Sequence, residues 1–450
     1  MPVSRPIRAR LRAALFAVVI ALAGAAQVAR ADFIGHGGMV RAIDTTPDGR
    51  TVITASFDFS ARLWDFGSQA QIAVLDAHQG PVTGARFFPD GKQAVTTSDD
   101  GLAIIWSVPD GREVRRLQGH KHKVMAVDVS ADGRLVATGG WDKTVRIWEA
   151  ATGKELRVVE QPAPVNDVAF VNGDKSVAVG DHDGKIGLWR VADGAAEGVL
   201  DGHRRGVTKI DASRDGRLLL SASIDRTVRL WDVAAQKELK ILTHSEERDG
   251  QVYAVAFSPD ERQAVSAGRD GRLVLWGLEA GSIVKTIPAE SKIIWAVDFS
   301  AEGRFVLAAS SAEVATVWHL GTGDRIGLQA SDKDAPKPWL ASSHPGAKLF
   351  SSCANCHALD AKSASRSGPH FEGLWGRRVG AVEGYNYSNA LMGKSFTWNE
   401  KTLFALFDKG PDKFLPGTKM PVQRVPDKEQ LTQLVDYLRV LTTTPPPGAK

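Results

Sequence analysis

Seven tryptophans, at positions 64, 106, 148, 189, 231, 276 and 318, recur every 41 to 45 residues. Each closes a short apolar run, as in Ala-Arg-Leu-Trp64, Ile-Ile-Trp106, Val-Arg-Ile-Trp148 and Thr-Val-Trp318. Self-similarity at such a period means one supersecondary unit copied and stacked, because a single copy cannot bury its own apolar face. Inside a copy the runs are short and β-rich. Val124 to Val129, Val252 to Phe257 and Ile294 to Phe299 are examples, each followed by a turn such as Ser130-Ala131-Asp132-Gly133 or Ser258-Pro259-Asp260, a second run, a tight turn and the tryptophan strand. No stretch of this region has a helical period.

Upstream of five of the tryptophans stand His36, His78, His120, His203 and His244, most of them in Gly-His or a close variant. With the tryptophans, this resembles the WD40 repeat, a four-stranded propeller blade. The resemblance implies a network in each blade that joins the histidine, a Ser or Thr on the second strand, an Asp in the next turn and the Trp. The matching aspartates are Asp58, Asp100, Asp142, Asp183, Asp225 and Asp270. These histidines and aspartates are therefore structural, since a fully satisfied buried polar network specifies a fold. Two blades depart. The fourth has Pro162-Ala163-Pro164 in the place of Gly-His, and the seventh, with Ser311-Ala312-Glu313, lacks both histidine and aspartate, so their networks are expected to be incomplete.

Outer strands are expected after each tryptophan, the last over 325–329. Asp32 to Gly35 is too short to supply a full outer strand, so the expectation is seven self-contained blades with weak or no strand exchange at the closure. His122 and His182 fall outside the repeat's structural positions. They are candidates for a metal or second cofactor, though isolated histidines are more often plain surface residues.

The only two cysteines of the chain lie in Cys353-Ala354-Asn355-Cys356-His357. Two thiols three residues apart, followed at once by histidine, form the attachment motif of a c-type haem: thioethers to two vinyl groups and an imidazole to the iron. A zinc site would need further cysteines or a spaced histidine pair, and a dithiol oxidoreductase would need a βαβ frame; neither is present. Gly346 to Phe350 runs into the motif as a helix would. Near the end, Leu431, Leu434, Val435, Leu438 and Leu441 follow a helical spacing opened by Pro426-Asp427.

Residues 345 to 441 resemble a class I cytochrome c of the mitochondrial and bacterial cytochrome c2 type. The matching segments are 346–350, 353–357, Gly368-Pro369-His370-Phe371-Glu372-Gly373-Leu374-Trp375-Gly376-Arg377, 384–390, Phe396-Thr397-Trp398 and Pro416-Gly417-Thr418-Lys419-Met420-Pro421. The resemblance implies one covalently bound haem c, with thioethers at Cys353 and Cys356, His357 as proximal ligand and Met420 as distal ligand. It further implies that the Pro369 carbonyl fixes the imidazole, and that Arg377, Tyr387 and Trp398 hold the propionates. With both axial positions filled, single-electron transfer is expected and oxygen or nitrite activation is not. Where the family carries a tyrosine near the methionine sulfur, this chain has Leu406 or Phe407, and Leu391 replaces an asparagine.

At 450 residues the chain is expected to hold two or three domains. Residues 1–31, with Arg5, Arg8, Arg10 and Arg12, an apolar run over 13–26 and Ala29-Arg30-Ala31, read as a cleaved secretory signal. That places the protein in a periplasm, with membrane attachment only if the signal is retained. Residues 32–330 form the seven-bladed all-β propeller, 331–344 a polar, proline-bearing linker, and 345–450 a small all-α haem domain. The formal charge of +4 includes five arginines before Asp32, which leaves about −1 for the mature chain. Residues 340–450 alone carry fourteen Lys and Arg against nine Asp and Glu. Nucleic acid is not indicated as a partner. A basic haem domain, with Lys348, Lys409, Lys413 and Lys419 placed to ring a haem edge, beside a mildly acidic propeller suggests an acidic redox partner or contact between the two domains. The expected function is therefore an electron carrier whose propeller is a partner-binding scaffold. The alternatives are an oxidoreductase with a second cofactor or substrate in the propeller, and a haem-based sensor in which Met420 leaves the iron.

Overall fold

Within each repeat, runs of about six residues alternate small or β-branched side chains with polar ones and are separated by Asp-Gly and related turns, so hairpin follows hairpin. The computed structural model describes residues 32–289, 293–312 and 314–326 of this region, and beyond it 342–350, 353–357, 359, 368–382, 385, 387, 389–416, 418, 420 and 424–443. The expected signal and residues 331–341 of the expected linker lie outside the described residues.

The strands form six four-stranded antiparallel sheets and one five-stranded sheet. Sequence order within each sheet is inner, second, third, outer, as in blade one: Val40–Thr45, Thr51–Ser56, Ala61–Asp65 and Gln71–Leu75. The apolar cores lie between neighbouring blades. Ile53 and Leu63 of the first pack with Val82, Ile104 and Trp106 of the second, and Val40 and Trp64 of the first with Leu307 and Val317 of the seventh. The turn after the inner strand needs a left-handed residue. Six blades place glycine there, including Gly49 at φ 69° and Gly133 at φ 70°, while blade six forces Glu261 to φ 57°.

The inner strands line the axis. In all seven, a β-bulge interrupts the pairing at the second residue, as between Val40 and Ala42 or Ile294 and Ala296. A bulge re-aims its side chain. From that position Asn166 Nδ2 donates to the Val207 carbonyl at 2.8 Å, Thr208 Oγ1 to that of Val252 at 2.8 Å, and Thr83 Oγ1 to that of Val124. Each of these bonds ties a blade to the next.

The histidine networks form in five blades. In blade three, Trp148 Nε1 donates to Thr138 Oγ1 at 2.8 Å, Thr138 lies 2.8 Å from His120 Nε2, and His120 Nδ1 lies 3.0 Å from Asp142. The hydroxyl accepts from the indole, so its own proton points at Nε2 and the imidazole proton at the carboxylate, a chain that needs a neutral ring. Burial holds His36 and His120 below the ordinary histidine value despite the adjacent Asp58 and Asp142. In blade six the ring is turned over, with His244 Nδ1 on Ser266 and Nε2 on Asp270.

Blades four and seven depart as their sequences suggest. Trp189 Nε1 is buried and meets no acceptor among the described residues, and Trp318 Nε1 donates to Thr316 on its own strand at 2.9 Å. One aspartate is corrected: the turn of blade four is held by Asp181, which accepts from the N–H groups of Asp183 and Lys185, and Asp183 faces no histidine to join.

The closure is also corrected. The outer edge of blade seven is shared by two short strands, Phe33–Ile34 on Ala315 and Val314, and Arg325–Ile326 on Trp318 and Val317. Strand exchange is thus limited to two residues, weak as expected, but blade seven is not self-contained. Two residues suffice because Phe33 is fully buried against Trp64, with ring centroids 5.7 Å apart, and Arg325 clasps Asp32 at 2.5 and 3.1 Å.

The C-terminal part is helical: α1 (Gly346–Phe350), α2 (Cys353–Cys356), α3 (Asn389–Met392), α4 (Glu400–Lys409), α5 (Pro411–Phe414) and α6 (Lys428–Thr443). An added Cβ on Gly346 would stand 2.1 Å from the Gln433 carbonyl, so glycine is what lets α1 cross α6 in backbone contact. Asp427 caps α6 by accepting from the Gln430 N–H at 2.8 Å.

Candidate functional site

The helix crossing sets the floor of the site. Phe350, fully buried, sits between Phe371 and Tyr437 at 5.6 Å each, over Leu431, Leu434, Val435 and Leu438 of α6. Cys353 follows on α2, buried in the same cluster. The His357 N–H donates to the Cys353 carbonyl at 3.0 Å, so the helical turn runs on and puts Cys353 and His357 on one face. The side chain of Cys356 lies outside the described residues.

His357 is held from two sides. Its Nδ1 donates to the Pro369 carbonyl at 2.7 Å, the contact that the resemblance implies, which leaves the lone pair on Nε2. Its ring stacks on Phe371 at 4.5 Å and 18°. A Cβ on Gly368 would stand 2.4 to 2.7 Å from three ring atoms, so only glycine permits this approach. Neither Phe371 nor Gly368 was assigned a role from sequence. Their place beside Pro369 was the available signal.

Arg377, Tyr387 and Trp398 come together at another side. A short backbone ladder, Gly376 N–H to the Trp398 carbonyl at 2.7 Å and Trp398 N–H to that of Arg377 at 2.9 Å, sets the first and last in register. Arg377 donates to the carbonyls of His370 and Glu372 at 2.8 Å each, yet its Nε is buried with no acceptor and it makes no ion pair among the described residues. Burial holds its guanidinium below the ordinary value, with nearby Tyr387 opposing; burial raises Tyr387 in turn. A half-buried cation with an orphaned donor suits a carboxylate-bearing ligand.

Met420 is half-buried against the same apolar cluster, its N–H on Thr418 Oγ1 at 3.2 Å. Leu406 and Phe407, both 4% exposed, stand where a tyrosine was missed, so neither supplies a polar group to this side of the site. Gly410, at φ 91°, breaks α4 from α5. Lys348, Lys409 and Lys413 are exposed; Lys419 lies outside the described residues.

The propeller histidines do not converge. The His122 carbonyl lies by Gly101 of the preceding blade and its ring stacks on Trp141, whereas His182 lies by Gly206. Among the described residues no three of His, Cys, Asp and Glu gather as a metal site would require, and no helix is long and apolar enough to cross a membrane.

A family model of the WD domain, G-beta repeat, matches residues 28–65, 69–107, 111–149, 153–190, 194–232, 236–277 and 281–319, and one of cytochrome c matches 343–442. The chain belongs to the WD40-repeat family, and its C-terminal part to the cytochromes c. That part is 40% identical over 95 residues to a cytochrome c of Gibberella zeae, spanning 21% of this chain and 89% of that protein. It is 38% identical over 114 residues to a cytochrome c of Nigella damascena, spanning 25% and 99%, and 38% identical over 94 residues to one of Arabidopsis thaliana, spanning 21% and 83%. The cytochrome c domain carries covalently bound haem c and serves electron transfer. The residues described fit that group: an oriented imidazole, a cysteine one turn before it, a methionine on the same core and a half-buried guanidinium with no anion beside it among the described residues.

Proposed function

We propose that this WD40–cytochrome c protein is an exported, periplasmic, single-haem electron carrier whose propeller binds the redox partner and presents the haem domain to it. The observation that carries the reading is the His357 imidazole, fixed by the Pro369 carbonyl with its lone pair on Nε2, in a domain that also keeps a methionine on its apolar core.

Cys353 and Cys356 are assigned the thioethers, His357 and Met420 the axial positions, and Arg377, Tyr387 and Trp398 the propionates. The bound haem supplies a one-electron couple, which a neutral thioether ligand shifts toward the reduced state. The protein's own contribution is to hold the imidazole in one orientation, exclude water with Phe350, Phe371 and Leu406, and offset carboxylate charge with Arg377. Export rests on residues 1–31, and the acidic partner on the basic haem domain with exposed Lys348, Lys409 and Lys413.

The test is an optical and metal analysis of the chain matured with haem in a bacterial periplasm, together with N-terminal sequencing. One iron per chain, a low-spin spectrum with a methionine–iron band, and a mature start at Asp32 are expected. A second chromophore or a further metal would overturn the scaffold role of the propeller. Rapid carbon monoxide binding to the reduced protein at neutral pH would overturn the carrier reading in favour of a sensor.

A further inference from the structure

The fifth residue of each inner strand forms a ring around the propeller axis: Asp44, Arg86, Asp128, Ala169, Asp211, Ala256 and Asp298 in blade order. One guanidinium thus faces four carboxylates. Arg86 reaches three of them across the axis, Asp44 at 3.1 Å, Asp128 at 3.3 Å and Asp211 at 3.6 Å. Those three also accept a backbone N–H from a neighbouring blade: Phe87 to Asp44 at 2.6 Å, Phe170 to Asp128 and Phe257 to Asp211 at 2.8 Å. Asp298 differs, since it accepts from the Phe299 N–H beside it on its own strand, at 2.8 Å.

The other cations near the axis are engaged elsewhere. Lys209 pairs with Asp167 at 2.9 Å, and Arg41 lies over the Trp295 ring at 5.2 Å with a long contact to its carbonyl. Arg41, Arg86, Asp167, Lys209, Asp211 and Asp298 all line one axial cavity of about 70 Å3. We propose that Asp298 stays protonated at neutral pH as the fourth member of a ring that Arg86 can neutralise only in part, so that the propeller closure is a pH-sensitive element which slackens as Asp298 ionises.

The electrostatics agree with this geometry. Burial first, then the Asp44 carboxylate, pushes Asp298 up to about 8, with Asp211 adding and Arg86 and the Thr45 hydroxyl opposing. Asp211 is pushed up to about 6 by burial, against Arg86 and Lys209. The charged groups acting on Asp298 are thus Asp44 of blade one, Arg86 of blade two and Asp211 of blade five, and Arg41 of blade one, Asp167 of blade four and Lys209 of blade five share its cavity. The native state keeps a proton that an unfolded aspartic acid releases above roughly pH 4. Stability therefore falls as pH rises from there toward 8 and levels off beyond, where both states are ionised.

The decisive comparison is full-length holoprotein against Asp298→Asn. Difference infrared spectra of the wild type are expected to show a protonated-carboxyl stretch at about pH 7, where Asp211 is already mostly ionised, that fades by about pH 9 and is largely lost in the variant. In denaturant titrations read by tryptophan fluorescence, with haem absorbance reporting the other domain, the variant is expected to match the wild type near pH 4. It should exceed it at pH 8 by at least about tenfold in the folding equilibrium constant. Asp298→Ala gives a second reading should asparagine misfold, since Ala169 and Ala256 already occupy this register. A wild type without the carboxyl band at pH 7, a pH 7 band unchanged in the variant, or a stability difference that does not depend on pH would overturn the proposal.

Discussion

At the scale of single residues, the Thr138 hydroxyl is the joint of its blade. It accepts a hydrogen bond from the Trp148 indole and donates one to His120, so removing it strands two buried polar atoms at once. Thr138→Val, nearly isosteric, is expected to cost about 2–4 kcal/mol by denaturant unfolding, more than one ordinary hydrogen bond. Blade four supplies the control. Trp189 Nε1 already lacks an acceptor, so Trp189→Phe should cost about 1–2 kcal/mol less than Trp148→Phe. Much of this was legible in sequence because the repeat sets tryptophan, hydroxyl, histidine and aspartate at fixed separations, and the Cys-Ala-Asn-Cys-His motif and its companions were legible for the same reason. Arg86 was not. Its partners come from blades one, three and five, and no local spacing connects them.

At the scale of elements, the seams between blades are unequal. Blades one, three and five reach the next blade or the one beside it through Asp44, Asp128 and Asp211, and blade four does so through Asn166 and Asp167. Blade six has Ala256 in the ring register, and its bulged residue Tyr253 meets blade seven by ring contact with Trp295 at 4.7 Å. Amide protons of Ile294–Phe299 are therefore expected to exchange faster than those of Val207–Ala212, which hydrogen exchange with mass spectrometry would measure. The exchanged strand guards the other flank of blade seven. Phe33→Ala is expected to cost about 3 kcal/mol and to quicken exchange in Val314–His319, whereas Val114→Ala on an exposed outer strand should change neither. Sequence did not disclose this strand, because two residues carry no period. Its placement follows from burying Phe33 and pairing Asp32 with Arg325.

At the scale of the whole molecule, charge is divided between the parts, with the basic excess in the haem domain. If an acidic partner meets that domain, the bimolecular rate of electron transfer to it should fall with ionic strength. Lys413→Glu should slow it several-fold in dilute buffer and scarcely at all near 0.5 M salt, where screening is complete over about 4 Å. Stopped-flow mixing would read both, and an unchanged rate in dilute buffer would remove Lys413 from the docking face.

The clasp between Asp32 and Arg325 joins residues 293 positions apart. During synthesis the first of these leaves the ribosome well before the second exists. The growing ring must therefore wait as an open arc, with the edge of its last blade and the ring of Phe33 unclaimed. Contacts of such separation form late, so closure is expected to set the slow step of folding. Whatever guards the nascent chain against pairing with a neighbour's edge has to act until residue 326 has emerged.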